Sequence, residues 1–266
     1  MKKLVMLAIV ILLAATNHQA AKAKTCAADN KTRVTANGEC LVIEVFGETA
    51  EQTSLVVFIH GDGYRGRPSD YLYPLAERLG AKGVVAVGLI RPGYFDSDNN
   101  RSTGNSYRKK GDGYKPHIVK AVAEAIKALK AHYKAGYVVL AGHSGGAAIA
   151  GVILGKYPGL VNAAVLGGCP CNVPKWRIKR RGRNNWHSSL SPHDFVGKID
   201  KKTKVVAITG SDDRNTVPEF GKDYVKSLKD NGIDATFIEL PNVSHNGVVR
   251  TEEYEHAITQ FLAGRS

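Results

Sequence analysis

What most constrains this chain is an alternation. Short apolar, β-prone runs at residues 55–60, 84–90, 137–141, 160–166, 204–209 and 235–240 are separated by stretches with helical spacing at residues 72–79, 117–132, 147–156, 219–231 and 252–262. Parallel strands need long crossovers, usually helices, so this order predicts an α/β fold: a mostly parallel central sheet with helices on both faces. Val56-Val57-Phe58-Ile59 is apolar at every position, as a strand covered on both sides must be. Residues 41–46 are expected as an N-terminal edge strand. A chain of 266 residues, 43% of them apolar, can bury one sizeable core, and residues 24–266 are expected to form one domain.

Two stretches interrupt the alternation. Residues 91–115, rich in Gly, Asn, Ser and Asp, are predicted to be a long surface loop. Residues 169–194 are predicted to be a loop or lid-like insertion; they carry Trp176 and Trp186 and, between them, Arg177, Lys179, Arg180, Arg181 and Arg183. Tyr107, Arg108, Lys109 and Lys110 form a second basic cluster on the first loop.

The first residues bear on compartment. Lys2 and Lys3 precede an apolar run at residues 4–15, and Ala21-Lys22-Ala23 has the small-x-small form of a cleavage site, so residues 1–23 are expected to be a removed signal peptide. That run is too short to span a bilayer, and no stable membrane insertion is expected after cleavage. The protein is expected to be exported, periplasmic or secreted. In such a compartment Cys26, Cys40, Cys169 and Cys171 are an even set able to form two disulfides, with the connectivity left open among three arrangements. The local pair Cys26 and Cys40 would staple the N-terminal segment, whereas Cys169 and Cys171 either pair or stay as thiols. The net charge of +13 favours anionic partners or surfaces, and in an exported protein it fits adhesion to an anionic envelope better than nucleic-acid binding.

The chemistry centres on Gly142-His143-Ser144-Gly145-Gly146, a G-x-S-x-G sequence between a predicted strand and a helix rich in small residues. Such a context puts a serine on a sharp strand-to-helix turn, with its hydroxyl facing outward. A serine hydroxyl is a weak nucleophile at neutral pH and needs a base, which in turn needs a carboxylate to fix its tautomer. The strand at residues 204–209 ends in Gly210-Ser211-Asp212-Asp213, and the last strand is followed by Asn242-Val243-Ser244-His245. Both lie at carboxyl ends of strands, where α/β sheets carry their sites. Ser144 is thus the candidate nucleophile and His245 the candidate base, with Asp213 or Asp212 as the acid. His117, His132 and His256 lie in predicted helices as surface groups, and His187 and His193 follow no metal-ligand spacing.

On these motifs, over roughly residues 55–262, the sequence resembles the α/β-hydrolase superfamily, and within it the dienelactone-hydrolase-like esterases and the catalytic domain of prolyl-oligopeptidase-type peptidases. The family's Gly-x-x-Asp pattern matches Asp213 and leaves Asp212 as its rival; Val217-Pro218 stands one residue farther from Asp213 than is usual there. The resemblance implies an oxyanion hole of backbone N–H groups, from Gly145 and from Asp62 in His60-Gly61-Asp62-Gly63, with Gly63 as the alternative. It implies no cofactor. The expected activity is cleavage of a carboxylic ester through an acyl-serine, on a small-molecule or peptide acyl substrate for which the basic clusters favour negative charge. The alternatives are a peptidase or amidase, whose relatives usually carry a propeller this chain has no room for, and a non-catalytic binding protein on the same fold.

Overall fold

The computed structural model describes residues 26–63, 66–107, 113–185 and 188–264. Residues 1–23, expected as a signal peptide, and Arg108, Lys109, Lys110, Trp186 and His187 lie outside the described residues. The sheet has eight strands: β1 (Arg33–Ala36), β2 (Glu39–Phe46), β3 (Ser54–Ile59), β4 (Val84–Leu89), β5 (Tyr137–His143), β6 (Ala163–Gly167), β7 (Lys204–Gly210) and β8 (Asp234–Leu240). Their order is β1-β2-β4-β3-β5-β6-β7-β8. β2 runs antiparallel to both β1 and β4, and the strands from β4 onward pair in parallel.

The helices are α1 (Tyr73–Leu79), α2 (Pro116–His132), α3 (Gly145–Lys156), α4 (Val173–Arg181), α5 (Pro218–Asp230) and α6 (Glu252–Ala263). Alternate residues of the central strands feed two cores. Leu55, Val57 and Ile59 of β3 and Val138 and Leu140 of β5 face α2, α3 and α5, while Val56, Phe58, Val139 and Ala141 face α1 and α6. This period-two division explains why the central strands are apolar at every position. Among the described residues no helix is long and apolar enough to cross a membrane.

Three expectations change. β1 is an additional strand: its four residues close a hairpin with β2 through Asn37 and Gly38, both at positive φ. The loop at residues 91–115 is only partly at the surface: among its described residues 97–101 and 103–105 are exposed, while Arg91, Tyr94, Ser102 and Tyr114 are buried and tie it to the sheet ends. The described part of residues 169–194 is not all loop, since it contains α4 and the start of a 3-10 helix (Pro192–Lys198). α4 is capped by the Asn172 side chain accepting from Lys175 N and ends on Gly182 in the left-handed conformation. Within it Arg177 is buried with Nη1 on Asn184 Oδ1 at 3.2 Å, which removes it from the expected surface cluster. Lys179, Arg180, Arg181 and Arg183 are exposed.

All four cysteines are bridged, Cys26 to Cys40 and Cys169 to Cys171. The first bridge spans 14 residues of sequence and anchors the segment before β1 to the first residues of β2. Replacing Cys26 and Cys40 by serine together should lower unfolding free energy by about 3 kcal/mol, the chain-entropy value for such a loop. Urea unfolding of the oxidised proteins tests this, and an unchanged midpoint would mean the bridge constrains nothing the native contacts do not.

Candidate active site

The serine sits where strand becomes helix. β5 ends at His143, α3 begins at Gly145, and Ser144 between them has φ 53° and ψ −119°. A non-glycine residue so placed stores about 1–3 kcal/mol of backbone strain and is held there by its surroundings. Glycine is obligatory nearby: a Cβ on Gly146 would lie 2.0 Å from the Ile59 carbonyl oxygen, and one on Gly61 would lie 2.9 Å from Ser144 Cβ. The loop after β3 thus packs directly on the serine.

The structure brings Ser144, His245 and Asp213 together from three loops at the carboxyl ends of β5, β8 and β7. His245 Nε2 is 3.0 Å from Ser144 Oγ, and His245 Nδ1 is 2.7 Å from Asp213 Oδ2. Asp213 is buried and its carboxylate is saturated with donors. Asn215 N and Thr216 N donate to Oδ1 at 2.9 and 2.8 Å, and Thr216 Oγ1 lies 2.7 Å from Oδ2. Burial pushes this carboxyl up, but the hydrogen bond and charge of His245 and the donors of Thr216 outweigh it, so the net shift is downward. Asp212 is instead exposed, and among the described residues its carboxylate meets only the Ser211 hydroxyl, at 3.5 Å.

Asp62 and Gly145 flank the serine. Asp62 is fixed through its side chain: Oδ1 accepts from Arg91 Nη1 at 3.0 Å and Oδ2 from Tyr114 Oη at 2.7 Å. Arg91, itself buried, also donates to the carbonyls of His60 (3.1 Å) and Gly113 (3.3 Å), so it braces the loop after β3 from behind. Among the described residues neither the Asp62 nor the Gly145 N–H has an acceptor. His60 is buried, with Nε2 accepting from Arg91 N at 2.9 Å. Burial and the Arg91 charge hold it well below the ordinary histidine range.

Several residues of the site escaped the motif-based expectations. Thr216 stands three residues after Asp213, the spacing at which a hydroxyl residue and an aspartate close a local turn, and that spacing is a usable signal. Asn215 Nδ2 lies 3.2 Å from His245 Nε2, and its Oδ1 accepts from Trp176 Nε1 of α4 at 3.3 Å. His143, buried behind the serine, has Nδ1 2.7 Å from Tyr71 Oη and Nε2 3.0 Å from the His245 carbonyl. Tyr71 Oη also accepts from Gly61 N at 2.7 Å. Burial first, then the neighbouring His245, hold His143 down at about 3. Among the described residues no group of His, Cys, Asp and Glu side chains is arranged to hold a metal.

An eight-stranded sheet of this order with an antiparallel β2, and a serine on a strained turn after β5, define the α/β-hydrolase fold. Solved structures agree. Est1E from Butyrivibrio proteoclasticus, solved with ferulic acid bound, superposes with a TM-score of 0.62 at 16% identity, over 87% of this chain and 99% of that one. An esterase of Pyrococcus furiosus gives 0.64 at 16% identity, over 87% and 88%. An acylaminoacyl peptidase of Pyrococcus horikoshii gives 0.62 at 15% identity over 86% of this chain, which spans only 39% of that longer protein. No family model and no curated protein sequence matches.

Proposed function

We propose that the protein is a serine hydrolase that cleaves carboxylic esters through an acyl-serine intermediate. The observation that carries this reading is the continuous line Ser144 Oγ, His245 Nε2, His245 Nδ1, Asp213 Oδ2, with spacings of 3.0 and 2.7 Å. With Nδ1–H donating to a carboxylate, Nε2 is left as the acceptor and takes the Ser144 proton as Oγ attacks the acyl carbon. The carbonyl oxygen becomes an oxyanion that the free N–H groups of Asp62 and Gly145 receive. Collapse expels the alcohol, which takes the proton from Nε2. Water, deprotonated by the same nitrogen, then releases the acid and regenerates Ser144. No step calls for a cofactor.

The substrate is a small-molecule or peptide acyl compound. Exposed Lys179, Arg180, Arg181 and Arg183 on and just after α4, whose Trp176 reaches the His245 neighbourhood, favour one carrying negative charge. The two disulfides support an oxidising, extracytoplasmic compartment. A second reading, amide cleavage, is favoured by the likeness to the catalytic part of acylaminoacyl peptidase.

The test is hydrolysis of p-nitrophenyl esters from acetate to long acyl chains beside aminoacyl and prolyl p-nitroanilides, together with fluorophosphonate labelling. Ester turnover and labelling, both lost in Ser144→Ala, are expected. Faster anilide cleavage would favour the peptidase, and an unlabelled, inactive wild-type protein would leave a binding module on this fold.

A further inference from the structure

We propose that Asn215 and Trp176 are positioning residues that hold His245 in its proton-accepting form. This inference rests on His245 being the base for Ser144. Its ground is the direction of two hydrogen bonds. An indole N–H can only donate, so Trp176 Nε1, 3.3 Å from Asn215 Oδ1, fixes the amide with its oxygen toward α4. The NH2 group then faces His245 Nε2 at 3.2 Å. A donor in that place favours a bare Nε2 and opposes the protonated ring, whose own N–H would meet it head on.

The flipped amide is excluded twice over, because it would set NH2 against the indole N–H and a carbonyl against the Nε2 lone pair. The other groups around the ring are Asp213 on Nδ1, Thr216 Oγ1 3.0 Å from Nδ1, and His143, whose ring centre is 5.0 Å away and which is held neutral by burial. Among the described residues Asn215 is the polar side chain other than Ser144 that addresses Nε2, and through Trp176 it joins the basic helix α4 to the base.

The consequence is a pH signature. Removing the amide takes the donor away from Nε2 and should move the acid limb of kcat/KM upward. For p-nitrophenyl acetate, Asn215→Ala should move that limb up by about 0.5 to 1 pH unit, the size one neutral hydrogen bond permits. Asn215→Asp, which puts a carboxylate oxygen opposite Nε2, should move it farther in the same direction. Trp176→Phe, which frees the amide to turn, should give a smaller upward shift, and adding it to Asn215→Ala should shift the limb no further.

An acid limb that stays in place in both Asn215 variants, with only a lower plateau, would reduce Asn215 to packing and overturn the proposal; the two Asn215 variants decide the matter even if Trp176→Phe fails to fold. His245→Ala is the control. If it keeps wild-type turnover, the base assignment itself has failed and the inference falls with it, an outcome distinct from an unmoved limb in a His245-dependent enzyme.

Discussion

Asp213→Asn should lower kcat for p-nitrophenyl acetate about 10⁴-fold, while Asp212→Asn should leave it within about twofold. The cause is the orientation the site would force on the new amide. Oδ1 of Asp213 takes two backbone N–H groups, from Asn215 and Thr216, so an asparagine must put its carbonyl oxygen there. Its NH2 then occupies the Oδ2 position, against His245 Nδ1 and Thr216 Oγ1. Nδ1 becomes an acceptor, the ring proton moves to Nε2, and Ser144 faces a donor where it needs a base. The Asp212 carboxylate, exposed and 3.5 Å from the Ser211 hydroxyl, enforces nothing of the kind. Circular dichroism of both variants establishes that they fold, and a larger loss from Asp212→Asn would reassign the acid.

The second large effect is on stability below neutral pH. His60 and His143 are both buried and both held below the ordinary histidine value, His143 at about 3. In the unfolded chain each binds a proton as pH falls through about 6.5, whereas in the native state each stays neutral. The unfolded state binds more protons, so stability falls with pH, by about 1.4 kcal/mol per unit for each histidine and about 2.7 for the pair near pH 5. Asp213 works in a lower window: its depressed carboxyl adds stability above the unfolded carboxylate value of about 3.9 and loses it as pH falls toward its native value. Urea unfolding at pH 7, 6, 5 and 4.5 should show the loss beginning near pH 6.5, above the ordinary carboxylate range. His143→Gln should halve the slope, and a wild-type stability flat from pH 7 to 5 would mean that neither ring is held neutral in the native state.

What could be read from the sequence was whatever is written locally. The helical spacing before residue 132 and the run Val56-Val57-Phe58-Ile59 correspond to α2 and β3 because a buried sheet demands apolar residues at every strand position. Ser144 and His245 stood out because their places at strand ends follow from the alternation itself. β1 was silent because four residues, RVTA, carry too little pattern. Arg91 and Tyr114 lie in a loop whose Gly and Asn content points to solvent, and their burial depends on Asp62, which is 29 and 52 residues away in sequence. Tyr71 and His143 likewise meet across 72 residues, a distance no local pattern spans. Arg177 sat among four exposed cations and was indistinguishable from them until α4 turned it inward.

The run from Gly61 to His245 has a further consequence. Its ends are main-chain groups: the Gly61 N–H can only give a proton and the His245 carbonyl can only receive one. The polarity of the whole wire is therefore fixed. Gly61 gives to the Tyr71 oxygen, Tyr71 gives to His143 Nδ1, and His143 gives from Nε2 to the carbonyl. A proton added to His143 would set it against the Tyr71 hydroxyl, and that hydroxyl has no second acceptor in the wire to turn toward. The wire therefore has a direction that cannot reverse: the His143 ring, held neutral, is pinned between the loop after β3 and the loop after β8 by backbone groups that can neither take up nor give back a proton.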